Sequence, residues 1–168
     1  MKKLTVLFSA FVLVISLSSN LSAQNLSAGA GVHYATSLNN IGISINGNYK
    51  LTKKIHLAAS YIYFLEKDLV NWSALDFDGH YIFSENSGMQ IYGIAGLGFT
   101  FTSIEVPGYS FGGISAGSTN LTATNFGLNL GAGLHKKLSK NLNLFAEAKY
   151  AISDGSYLKI GAGVLYNF

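Results

Sequence analysis

The chain has 168 residues, of which 11% are charged and none is cysteine. A charged fraction this far below the usual value of about 25%, with 19 glycines, ten tyrosines, eleven phenylalanines and one proline, excludes an ordinary soluble domain. All eleven basic residues are lysines, and past Ala23 nine lysines stand against eight carboxylates, a near-neutral balance without the basic patch that nucleic-acid binding requires.

Lys2 and Lys3 open the chain, residues 4–17 are almost wholly apolar, and Leu21-Ser22-Ala23 closes the stretch. That layout is a secretory signal peptide with cleavage after Ala23. The apolar run falls short of the roughly 20 residues that an anchoring helix needs. Residues 1–23 are therefore read as a signal peptide and residues 24–168 as one domain. Without cysteine, neither a lipidated Cys nor a disulfide can form.

Beyond the signal, period-two alternation recurs in eight segments: 26–34, 41–50, 55–63, 75–83, 89–101, 125–132, 142–150 and 158–168. Successive side chains of a strand face opposite sides, so each segment splits into two rows. In the second segment Ile41, Ile43 and Ile45 alternate with Gly42, Ser44 and Asn46. In the seventh Leu142, Leu144, Ala146 and Ala148 alternate with Asn143, Phe145, Glu147 and Lys149. The expectation is one apolar row throughout, and one row of glycine, amide and charge. A helical reading would place many glycines in element interiors, at about 1 kcal/mol each.

Two features turn the apolar rows outward. The polar rows hold little of the Lys and Glu that soluble surfaces carry. The apolar rows also end in aromatics, among them Tyr34, Tyr49, Tyr63, Phe83, Phe101, Tyr150 and Tyr166, as the interfacial girdles of a membrane barrel do. The predicted fold is all-β: an eight-stranded antiparallel up-and-down transmembrane β-barrel, closed because an open edge in lipid leaves backbone groups unpaired. Short turns are expected at 52–54, 84–88 and 135–141 on the side of the N-terminus. Longer loops are expected at 35–40, 66–71, 102–120 and 153–156 on the other. The longest, 102–120, holds Pro107.

The last segment ends Leu165-Tyr166-Asn167-Phe168 after alternating apolar residues, and the seventh reads Leu-Asn-Leu-Phe-Ala-Glu-Ala-Lys-Tyr from Leu142 to Tyr150. With these strands the chain resembles the small OmpA/OmpX-type, or "porin family", outer-membrane barrels of Gram-negative bacteria. The resemblance implies residence in the cell envelope, in bacterial outer-membrane lipid. It also implies that Tyr166 and Phe168 form the signal read by the barrel-assembly machinery during insertion. The peptidoglycan-binding domain of full-length OmpA has no counterpart here, so a wall-tethering role is not carried over.

Candidate chemistry concentrates on the inward row. Lys50, Lys149 and Lys159 are expected to balance Asp76, Asp78 and Glu147, with His80 beside them, in a network that plugs the lumen, because buried charges must pair. Glu147 is expected to hold a lysine, so that its loss would cost about 3–5 kcal/mol. His33, His56 and His80 with Asp76 or Asp78 have donor types suited to zinc but no ligand spacing; no metal site or cofactor is expected. Lipid-modifying enzymes exist on this architecture, yet Ser60 and Ser73 lack an evident His partner and His135 falls in a turn; no catalytic residue is expected. The functional expectation is a plugged barrel with a structural or surface-interaction role. Loop 102–120 is the candidate surface for an extracellular ligand, and a narrow pore for ions or small solutes is the alternative.

Overall fold

The computed structural model describes residues 25–37, 39–67, 70–106, 110–111, 114–115 and 119–168. The expected signal peptide and Pro107 lie outside them. The strands are β1 (Leu26–Ala35), β2 (Asn40–Lys50), β3 (Ile55–Lys67), β4 (Val70–Asn86), β5 (Met89–Val106), β6 (Ser110–Phe111), β7 (Ile114–Ser115), β8 (Thr119–Lys137), β9 (Leu142–Ile152) and β10 (Tyr157–Asn167). Eight of them close into one antiparallel barrel in the order β1-β10-β9-β8-β5-β4-β3-β2. The seam joins the first and last barrel strands, with Ser27 opposite Asn167 and Ala35 opposite Lys159. Closure leaves none of these eight strands with an unpaired edge, the condition for backbone inside hydrocarbon.

The alternation becomes a division between inside and outside. Ile43, Ile45, Phe77, Leu97, Leu128, Leu130 and Ile160 point out, with Ile45 68% exposed and Leu128 49% exposed. Ser44, Asp76, Asp78, Asn129, Lys149 and Lys159 point in and are buried. A wall of exposed Ile, Leu, Phe and Tyr far exceeds the apolar patches of water-soluble monomers, and hydrocarbon is the solvent that it suits.

The inward row is less polar than the sequence predicts. At the end where β3 turns into β4, Ala35, Ile62, Phe64, Trp72, Ala74, Ala151 and Tyr157 form a buried apolar cluster. Ile82, Tyr92 and Ile94 form a second one further along the lumen. Phe64 stacks on Trp72 at 4.9 Å between ring centroids, and Trp72 meets Tyr157 at 4.8 Å. An eight-stranded lumen is only wide enough for its own side chains, so apolar groups fill the stretches that charge does not.

Strand limits also differ from expectation. β4, β5 and β8 run to 17, 18 and 19 residues, longer than the roughly 9–11 needed to cross a bilayer. They absorb much of the expected connections at 66–71, 84–88, 102–120 and 135–141. What remains between β4 and β5 is a two-residue turn with Ser87 at φ 48° and Gly88 at φ 74°, the left-handed pair that suits a tight hairpin. Inside 102–120, β6 pairs with β7, Phe111 opposite Ile114.

Candidate functional site

The charged layer is built by β4, β9 and β10. Asp76 and Asp78 sit two residues apart on β4 and so point the same way. Lys149 of β9 and Lys159 of β10 are ladder partners, which brings two like charges together on the inner face. The Lys149 ammonium donates to Asp76 Oδ2 at 2.8 Å and to Asp78 Oδ2 at 2.7 Å. The Lys159 ammonium donates to both Asp76 oxygens at 2.7 Å. Asn129 of β8 donates to Asp78 Oδ1 at 3.0 Å. All five groups are buried, and each carboxylate holds two or more charge-assisted or amide donors, which is what makes burial of charge tolerable.

Small residues make the space. A Cβ on Gly96, opposite Asp78 on the ladder, would collide with the Asp78 carboxylate and the β4 backbone. A Cβ on Gly133 would lie 2.6 Å from the Tyr92 ring. These glycines are seats for larger inward groups on the neighbouring strand.

Glu147 takes a different part from the one expected. Its Oε2 lies 3.9 Å from the Lys149 ammonium, beyond hydrogen-bond range, while Lys149 is held by the two aspartates. Its Oε1 accepts from the Tyr92 hydroxyl at 2.8 Å and lies 3.9 Å from His80 Nε2. His80 stacks on Tyr92 at 4.5 Å, and Tyr92 packs at a tilt against His135 at 4.6 Å. Removing Glu147 therefore strands no lysine.

Lys50 departs further. It stands at the end of β2, half-buried, and lines a vestibule of about 370 Å³ with His56, Glu85 and Gln90 at the end of the barrel that holds the termini. The expected balance of three cations and three anions thus becomes two lysines against Asp76, Asp78 and Glu147. His33, expected near the metal-type donors, is buried beside Phe145, 6.5 Å between centroids, and Asp76 and Asp78 are committed to lysines. His135, expected in a turn, lies on β8 opposite Gln90 and is buried. Its place was latent in the alternation: from Asn129 and Gly131, the same parity runs on through Gly133 to His135. Tyr92 was in the inward row already, but nothing local marked it as a partner of Glu147.

No family model matches the chain, and a search of curated proteins finds no match. Solved structures do match. The N-terminal β-barrel domain of Pseudomonas aeruginosa OprF superposes with a TM-score of 0.63 at 24% identity, over 86% of this chain and 98% of that one. The fold is that of the eight-stranded outer-membrane β-barrels. Neisserial surface protein A is similar over 85% of this chain and 96% of its own, with a TM-score of 0.63 at 19% identity. Ail of Yersinia pestis is similar over the same shares, with a TM-score of 0.58 at 18% identity. Within this barrel, the ionic layer and the His–Tyr–Glu layer are the two polar clusters described above.

Proposed function

We propose that the protein resides in the bacterial outer membrane as a sealed barrel, with a structural or surface-interaction role exercised through the loops at the end opposite the termini. The observation that supports this reading is two layers of side chains that meet across the lumen. Phe64, Trp72 and Tyr157 stack across one level, and Asp76, Asp78, Lys149 and Lys159 are cross-linked at the next. A pore needs a wet path past both. The enzymatic reading finds no support at Ser60, which is buried and whose hydroxyl has no hydrogen-bond partner among the described residues.

The two ends differ in charge. Lys53, Lys54, Lys136, Lys137 and Lys140 are exposed at the end that holds the termini, and Glu66 and Asp154 are exposed at the other. A lysine-rich rim suits anionic phospholipid headgroups, which supports the reading that this end faces the periplasm. Ail has been crystallised with the heparin analogue sucrose octasulfate; the acidic loop end here does not favour a polyanionic partner, and segment 102–120 with its β6–β7 hairpin is the surface on offer.

The absence of native cysteine makes the orientation directly testable. On intact cells, an Asp154→Cys variant should react with a membrane-impermeant maleimide, and a Lys53→Cys variant only after lysis. The opposite pattern would place the loops in the periplasm and overturn the surface role.

A further inference from the structure

We propose that His80, His135 and Glu147 form a binding site for a zinc-class divalent metal ion inside the barrel. One donor atom from each lies within 4.8 Å of the others. The three come from β4, β8 and β9, so barrel closure, not a local motif, assembles them. Two imidazoles and one carboxylate are a set that zinc accepts with its fourth position open.

Four independent features point to a cation here. The first is charge. Asp76 and Asp78 hold Lys149 and Lys159 at 2.7–2.8 Å, so Glu147, 3.9 Å from the Lys149 ammonium, is the buried-layer carboxylate to which no lysine donates. The second is His80, which is 2% exposed and whose two ring nitrogens have no hydrogen-bond partner among the described residues. A buried polar group without a partner is costly, and a metal ion satisfies an imidazole nitrogen. The third is space. His80, His135 and Glu147 line a cavity of about 20 Å³, enough for one water-sized occupant. The fourth is support. Tyr92 stacks on the His80 imidazole, packs at a tilt against His135 and donates to Glu147 Oε1 at 2.8 Å, the kind of outer contact that orients metal ligands.

Zinc bonds of about 2.0–2.2 Å in a tetrahedron hold donor atoms about 3.4 Å apart; His80 Nε2 lies 3.9 Å from Glu147 Oε1 and the trio lies within 4.8 Å, so the donors draw together on binding. His135 also lines a vestibule of about 130 Å³ with Lys50, Glu85 and Asn143, so one of the three ligands borders the open end of the barrel. The proposed site stands apart from the question of conduction and departs from the expectation that the chain binds no metal.

The test uses the full barrel refolded in detergent micelles, stripped with chelator and titrated with Co²⁺ and then Zn²⁺. The expected result is one equivalent of Co²⁺ with the intense ligand-field absorption of a four-coordinate site, displaced by Zn²⁺. His135→Gln and Glu147→Gln should abolish that band. Tyr92→Phe should weaken binding about tenfold, and His33→Gln, outside the trio, should leave it unchanged. Heat-modifiable gel mobility reports whether each variant is folded. Folded trio variants that bind like the unmutated protein would overturn the proposal. Should those variants not fold, the unmutated protein decides alone: only the weak spectrum of hydrated Co²⁺, with no rise in thermal midpoint on adding Zn²⁺, would also overturn it.

Discussion

Asp76 accepts from both interior lysines, whereas Glu147 accepts from Tyr92 and only approaches Lys149. Removing one member of a buried ion pair costs about 3–5 kcal/mol, because the partner stays charged and unpaired. The Asp76→Ala variant leaves Lys159 in that condition and should lose stability on this scale. The Glu147→Ala variant unpairs a tyrosine hydroxyl, a loss of about 1–3 kcal/mol. Reversible urea unfolding in lipid vesicles ranks the two; a larger loss for Glu147→Ala would mean that the ionic layer is arranged around the wrong carboxylate. Sequence alternation brought Asp76, Asp78, Lys149 and Lys159 to one face but could not pair them. Pairing depends on stagger between strands distant in sequence, and alternation carries no record of stagger.

At the scale of the strand, β8 shows what was legible and what was not. Phe126, Leu128 and Leu130 face out and Asn129 faces in, as parity requires. A lysine on the outer face near the bilayer midplane costs about 2–4 kcal/mol, so Leu128→Lys should destabilise the barrel by that amount and Leu128→Phe by much less. Equal effects of the two in the same unfolding assay would mean that Leu128 does not touch hydrocarbon. The ends of β8 were harder to read. Residues 119–124 and 135–137 are polar and resemble loop, yet ladder hydrogen bonds continue through them to Thr119 and Lys137. Backbone pairing persists beyond the membrane because it needs no apolar side chain. The apolar lumen cluster was obscured for the converse reason. Around Tyr61-Ile62-Tyr63-Phe64 both rows are apolar, so the contrast that reveals facing disappears.

For the whole molecule, closure and insertion meet at the β1–β10 seam. Phe168 donates its amide to the Leu26 carbonyl at 3.1 Å, and its exposed ring packs against Tyr166 at 5.5 Å. Deleting Phe168, or replacing it with Asp, removes an apolar anchor from the seam. The expected outcome is less heat-modifiable, folded protein in outer-membrane fractions; an unchanged level would count against a role for this terminus in assembly. The eight strands, the outward apolar wall and the inward lysines and carboxylates follow from periodicity and composition. The proposed seal rests on three-dimensional packing, in which Phe64, Trp72 and Tyr157 form one layer and the Asp–Lys lattice the next.

That seal is the central claim, and planar-bilayer recording tests it most directly. The unmutated protein should be electrically silent. A Phe64→Ala/Trp72→Ala/Asp76→Ala variant, which opens the apolar layer and unlocks the lysines, should show leak currents if it remains folded. A steady, well-defined conductance from the unmutated protein would contradict the sealed lumen and identify the barrel as a pore.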